Sequence, residues 1–360
     1  MSTVNVVHKE LEPMLIACIK TVVEKRADLL PLFEPLRAAC GQAIRGPAMA
    51  VYHYGAVQTG LLVEAAFPVT RPIETDRVYT RQLEEARATT IIHRGPHDTI
   101  RDTIVQLYDY ARAHAGAASG QREMYLTLDP DHPERNVTEI QLVRHEWDRL
   151  LAEGVERTLG AAARDQVMVG IEQITPESSL QVYTGWIRGA IDRLDTLTGD
   201  PVQRYQIVSC CAHVFPAERI AHLRTIYEQG HEVDEVLREM YQDPAWYEDP
   251  IRQGNVIHMC KVPYNPEGYE KATTPADRRK AYCHCPFVRP YLDEVPSELS
   301  PTFCWCGSGW YKRLWEDILR KPIQIDHLET LIKGHDQCTL VITLPLELEG
   351  EMSPELAGRV

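Results

Sequence analysis

The sequence predicts an α+β protein of more than one domain, and three observations carry that expectation. The order strand–helix–strand–strand can be read twice within residues 1–146. A helix-rich stretch follows and closes at the turn signal Thr198-Gly199-Asp200-Pro201. Beyond it, residues 201–347 carry two Cys-x-Cys pairs, Cys283-His284-Cys285 and Cys304-Trp305-Cys306. A length of 360 residues also favours two domains over one.

In the first repeat, residues 4–22 read as a strand with a bulge-like break at Glu12-Pro13. Leu29, Leu32, Phe33, Leu36 and Cys40 then recur at helical spacing, and Gly41 and Gly46-Pro47 end that helix. Residues 49–54 and 61–69 read as strands joined by a glycine-containing turn. The second repeat opens with a strand over 89–93, punctuated by Gly95-Pro96. Ile100, Ile104, Leu107, Tyr108 and Ala111 form its helical stripe. Strands over 122–128 and 137–143 complete it, joined by the turn-rich Asp129-Pro130-Asp131-His132-Pro133. Two such units imply an antiparallel sheet with helices on one face, and a concave site at their pseudo-twofold junction.

Residues 147–200 read as a helical connector. Leu150, Leu151, Val155, Leu159 and Val167 give one apolar face, and Tyr183, Ile187, Ile191 and Leu194 another. Trp186 reads there as core or interface. In residues 201–347, Pro216 suits the first turn of a helix bearing Ile220, Leu223, Ile226 and Tyr227. A second helix carries Val233, Val236, Leu237 and Met240, and residues 255–262 read as a strand. Gly307-Ser308-Gly309-Trp310 opens a helix through Leu319, and terminal strands follow over 323–328 and 338–344. Residues 348–360 read as a tail.

Composition narrows the class of function. The formal net charge is -14, and the basic clusters are short, as in Arg278-Arg279-Lys280. No basic helix pair is evident, so direct contact with nucleic acid is not expected. No apolar run reaches the roughly 18 residues of a membrane span, and no signal pattern opens the chain. A cytoplasmic protein without membrane contact is the expectation, with its ten cysteines mostly reduced. An oligomer is compatible with the connector.

The ordered segments GPAMAVYHYG, LLVEAAFPV, HRGPHDTIRDTIVQLYDYA, REMYLTLDP and TEIQLV resemble the GyrI-like, or bacterial transcription-activator effector-binding, domain. The resemblance covers residues 1–146. It implies a duplicated α+β fold with a cleft for small, often cationic or aromatic, molecules. It points to Glu123 as the central acid, and in a hydrolase subset a cleft glutamate is catalytic. From the residues themselves, Glu123 and Tyr125 share one strand face by alternation. Tyr52 and Tyr125 hold matching places in the two repeats, as do Glu64 and Glu139. A carboxylate between aromatic faces suits a cation. The ligand-binding set expected from this is Tyr52, Glu64, Glu123, Tyr125 and Glu139.

The cysteines admit three readings. Pairs at i and i+2 on neighbouring strands would turn Cys283, Cys285, Cys304 and Cys306 toward one ion, with zinc the candidate cofactor. Alternatively, Cys306 or Cys338 is a nucleophilic thiolate, with His213 or His284 as base. His335 is a further imidazole. The third reading is packing alone. The segments CCAHVF, CHCPF, CWCGSGW, IQIDHLETLIKG and CTLVITL resemble a bacterial cysteine-rich family. That family is related to L-2-amino-thiazoline-4-carboxylic acid hydrolase-like and 4-vinyl reductase-type domains. Its signature positions would here be Cys211, Cys283, Cys285, Cys304, Cys306 and Cys338. The function expected first is binding or sensing of a small molecule. A hydrolase acting through Glu123 or a thiol is the alternative, and a transcriptional regulator without its own DNA-binding domain is another.

Overall fold

A computed structural model describes residues 5–114 and 118–345. The tail expected over 348–360 lies outside them. The chain divides into two compact units: residues 1–146 with 175–183, and residues 147–174 with 184–360. Each combines helices with an antiparallel sheet, the α+β class expected from the sequence.

The first unit runs β1 (Val7–Leu11), β2 (Met14–Val23), α1 (Phe33–Cys40), β3 (Ala48–His53), β4 (Leu61–Pro68), β5 (Tyr79–Leu83), β6 (Ala86–Arg94), α2 (Ile100–Ala113), β7 (Ala118–Thr127) and β8 (Val137–Arg144). Its eight strands form one sheet in the order β1-β6-β8-β7-β3-β4-β2-β5. The repeat is therefore β2-α1-β3-β4 and β6-α2-β7-β8, with β3 and β7 side by side at the centre. Outward from that seam, each half adds its third strand, its first strand and one extra edge.

Those extra edges are where sequence and structure part. The stretch expected as one bulged strand is two strands broken at Glu12-Pro13. β1 pairs with β6, whereas β2 pairs with β4 and β5. Pro13 has no N–H to offer a ladder, so the chain can leave one sheet position and enter another there. The short edge strand β5 has no strong alternation and was not expected.

The helical stripes fall as the spacing requires, except that Leu29 and Leu32 lie in a 3₁₀ turn, Arg26–Leu32, ahead of α1. Phe33, Leu36 and Cys40 of α1 pack with Ala17, Ala50, Tyr52, Ala65 and Phe67. Ile100, Ile104, Leu107 and Ala111 of α2 pack with Ile91, Ile140 and Leu142. Directly paired residues share a face of a sheet, so the registers place both helices on one side. The other side carries a separate cluster of Ile16, Cys18, Met49, Val51, Ala66, Leu83 and Met124.

The second unit holds α3 (Trp147–Leu159), α4 (Ala161–Val167), most of α5 (Leu180–Leu197), α6 (Pro201–Val208), α7 (Ala217–Gly230), α8 (Val233–Met240) and α9 (Pro244–Tyr247). Then follow β9 (Ile251–Gln253), β10 (Val256–Cys260), α10 (Pro266–Lys271), α11 (Pro275–Tyr282), α12 (Trp305–Leu319), β11 (Gln324–Glu329) and β12 (Thr339–Thr343). The strands form a sheet of order β11-β12-β10-β9. Trp315, Leu314 and Ile318 of α12 join Ile257, Ile325 and Ile342 of the sheet in its core. Asp200 caps α6 by accepting from the Val202 amide at 2.9 Å, with Pro201 opening the helix. The Trp186 indole donates to the Val169 carbonyl at 3.1 Å. α12 approaches the backbone of 209–211 so closely that a Cβ on Gly309 would lie 1.9 Å from the Ser209 carbonyl oxygen. Only glycine fits there.

Candidate ligand-binding site

The β3–β7 seam builds the site. Its register is Ala48 with Tyr125, Ala50 with Glu123, and Tyr52 with Gln121. A twofold axis through the Ala50–Glu123 pair exchanges Tyr52 with Tyr125. The same operation carries the Val51–Glu64 pair onto Met124–Glu139. The matches read from the repeats are thus true symmetry mates of the register.

Alternation sorts these residues between the two faces. Glu123, Tyr52, Tyr125 and Gln121 share the helix-covered face. Ala50 has no bulk beyond a methyl, which leaves room beside it for the Glu123 side chain. That carboxylate is fully buried, at 0% exposure, and four donors meet it. Tyr52 and Tyr125 hydroxyls donate to Oε2 at 3.0 and 3.1 Å. Gln121 Nε2 and Arg26 Nε donate to Oε1 at 3.0 and 2.9 Å. Burial, with Glu123 nearby, pushes both phenols far above their ordinary value of 10, so they remain protonated donors.

Arg26, Gln121, Tyr54 and His97 were not singled out in the sequence. Arg26 opens the 3₁₀ turn Arg26–Leu32 before α1. Its guanidinium sits 4.8 Å from the Tyr52 ring centre, and Nη2 donates to the Tyr54 hydroxyl at 2.9 Å. Burial pulls its pKa down, but Glu123 beside it more than offsets this, and the group stays cationic. Tyr54 stacks on Tyr52 with centroids 5.9 Å apart, and its hydroxyl donates to Gln121 Oε1 at 3.1 Å. His97 lies in the 3₁₀ turn His97–Thr99 before α2, its ring 5.1 Å from that of Tyr125. Burial lowers its pKa, and its Nε2 has no partner among the described residues. Period-2 alternation could have added Gln121 and Tyr54. Nothing local in the sequence marks Arg26 or His97.

Glu64 and Glu139, expected beside Glu123, point to the opposite face of the sheet. Glu64 receives Tyr79 OH at 2.7 Å and Arg81 Nε at 3.1 and 3.0 Å to its two oxygens, with His53 Nε2 3.3 Å away. Burial alone would raise its pKa. The nearby His53, with hydrogen bonds from Arg81 and Tyr79, outweighs that and holds the carboxyl at about 2. Glu139 pairs with Lys9 and accepts from Gln141 at 3.4 Å. Both glutamates are thus clamped by side chains of their own sheet.

In the second unit the cysteine pairs do not lie on strands. Cys283 and Cys285 follow the end of α11, and Cys304 and Cys306 bracket the first residue of α12. Two residues apart on a helix project about 200° apart, so the shared face assumed for Cys304 and Cys306 is lost. Among the described residues, no group of three or more His, Cys, Asp or Glu side chains is arranged to hold a metal ion. Cys338, Cys283 and Cys285 nonetheless lie near enough to Cys304 to raise its thiol further after burial has done so. None of the ten cysteines forms a disulfide.

The thiolate reading meets a similar obstacle. Burial pushes the Cys306 thiol up to about 12 and raises Cys338 as well, the reverse of what a nucleophile at neutral pH needs. His284 Nε2 donates to the Val262 carbonyl at 2.8 Å, and His335 Nδ1 bonds Thr330. His213 is exposed. A separate buried pair joins the Tyr311 hydroxyl to Glu248, whose pKa burial raises.

No family model matches the chain, nor does any curated relative. Solved structures similar to it include the crystal structure of the EcmrR C-terminal domain, 19% identical over 39% of this chain and 97% of that one, with a TM-score of 0.35. SAV2435 bound to tetraphenylphosphonium is 11% identical over 40% of this chain and 96% of that one, with a TM-score of 0.30. A hydrolase encoded by lin2189 from Listeria innocua is 13% identical over 38% of this chain and 90% of that one, with a TM-score of 0.29. At such TM-scores these likenesses leave the reading of the site to its own geometry. No helix among the described residues is long and apolar enough to cross a membrane.

Proposed function

We propose that the first unit binds a small organic cation carrying aromatic rings, with Glu123 as counter-charge and Tyr52 and Tyr125 as walls. One observation carries the reading. A carboxylate at 0% exposure is compensated by a guanidinium lying over a tyrosine ring. Burying a carboxylate costs several kcal/mol even after relaxation, so an isolated one persists only where a positive partner is supplied. Aromatic faces add attraction for cations, and more of it where water is excluded. The unit therefore already holds a cation in the arrangement proposed for the ligand.

Catalysis by Glu123 has less support. All four of its acceptor directions are taken by Arg26, Gln121, Tyr52 and Tyr125. With Arg26 in place, none is left to orient a water molecule as a nucleophile.

Calorimetric titration with tetraphenylphosphonium, with the neutral triphenylphosphine oxide as control, tests the proposal. The cation should bind and the neutral compound should not. Glu123→Gln should weaken the cation at least tenfold, about 1.4 kcal/mol. Equal affinity in wild type and Glu123→Gln, in a variant that melts cooperatively, would remove Glu123 from the site.

A further inference from the structure

We infer that Arg26 is a resident occupant of the Glu123 site, which a cationic ligand must displace to bind. The inference rests on the reading of Glu123 as the ligand's counter-charge and adds how access to it is controlled. Of the four groups that satisfy Glu123, three are fixed in the central strands and almost sealed from solvent. Tyr52 is 3% exposed, Tyr125 2% and Gln121 1%. Arg26 differs on both counts. It belongs to a 3₁₀ turn outside the sheet, and its side chain is 21% exposed. It is thus the partner whose side chain has solvent to move into.

Its contacts are those a ligand cation would need. The guanidinium takes one carboxylate oxygen through Nε, lies over the Tyr52 ring and donates to the Tyr54 hydroxyl. A second cation cannot use the same oxygen and ring while Arg26 is there. The apparent affinity for a ligand is therefore scaled down to the fraction of molecules in which Arg26 has left. Departure of Arg26 frees a guanidinium to reach solvent and leaves the site one negative charge, which fits a monocation. Tyr54, 42% exposed at the rim, loses one of its two hydrogen bonds in the same event and keeps that to Gln121.

The test compares tetraphenylphosphonium binding by calorimetry in wild type, Arg26→Gln, Arg26→Lys and Glu123→Gln. Glutamine keeps a donor but no charge, so Arg26→Gln should bind about tenfold tighter or more. Lysine keeps the charge, so Arg26→Lys should stay nearer to wild type. An Arg26→Gln protein that binds no more tightly than wild type would overturn the inference. Absence of binding in every protein, or an undiminished affinity in Glu123→Gln, would instead overturn the reading beneath it. A readout without substitution covers the case in which Arg26→Gln fails to fold. In wild type with labelled arginine, the Arg26 Nε–H resonance should move toward that of free arginine as tetraphenylphosphonium saturates. A resonance that stays in place at saturation would show the guanidinium still bound to Glu123, and the inference would fail.

Discussion

Glu64 offers the sharpest test of which carboxylates serve structure. Its folded-state pKa of about 2 lies well below the ordinary 4.5. A depressed carboxyl contributes stability that is complete above the unfolded value and disappears as pH falls through the folded one. At about 1.36 kcal/mol per tenfold change in proton affinity, the full contribution is about 3 kcal/mol at pH 7. Less than half of it remains at pH 3. Glu64→Gln should lose that stabilisation at pH 7, lowering the melting temperature of the first unit by about 6–12 °C. The deficit should shrink as both proteins are melted at lower pH, between about 4.5 and 2. All six tryptophans lie in the second unit, so tryptophan emission follows that unit. Far-UV circular dichroism follows both, and the two traces together isolate the first. Tetraphenylphosphonium affinity should not change, because Glu64 and Glu123 face opposite sides of the sheet. A Glu64→Gln protein that melts like wild type at pH 7, or that loses cation binding while keeping its stability, would refute the assignment.

Two further outcomes follow from packing and burial in the second unit. Gly309→Ala sets a methyl 1.9 Å from the Ser209 oxygen and 2.8 Å from the Ala212 Cβ. It should destabilise the unit by about 3 kcal/mol or more, seen as an earlier tryptophan-emission transition; an unchanged transition would show that α12 can move away from 209–211. Iodoacetamide at neutral pH should label the exposed Cys260 before Cys283 and Cys306, whose thiols are raised by burial. Peptide mapping that finds Cys306 modified first would restore the nucleophile reading.

Much of the first unit was legible because its signals are local and repeated. The stripes Phe33-Leu36-Cys40 and Ile100-Ile104-Leu107-Ala111 announce helices by spacing alone. Duplication revealed Tyr52 and Tyr125 as mates, and alternation joined Glu123 to Tyr125. The face of Glu64 and Glu139 was not legible. It depends on whether Val51 or Tyr52 stands opposite Glu64, and that register belongs to strand pairing between distant segments. Arg26 was hidden for a related reason, since its partner lies 97 residues away in sequence. For the cysteines, the spacing is plain in the sequence but the secondary structure that sets their directions is not. A strand would have aligned Cys304 with Cys306, whereas the chain turns helical at Trp305.

The symmetry of the site is what gives its single charge meaning. Each repeat supplies a tyrosine from its central strand, Tyr52 or Tyr125. Each also sets a 3₁₀ turn ahead of its helix, and each turn brings a basic side chain to the seam: Arg26 to Glu123, and His97 to Tyr125. Burial keeps the His97 pKa low, so the two turns deliver one firm positive charge between them. The acid is likewise unpaired. Its mate is Ala50, and a glutamate there would set two carboxylates against each other across the axis, where like charges disfavour joint ionisation. A symmetric frame thus encloses one negative charge and one removable positive charge. That balance suits exchange of the resident guanidinium for an outside monocation better than it suits either an empty apolar pocket or a catalytic carboxylate pair.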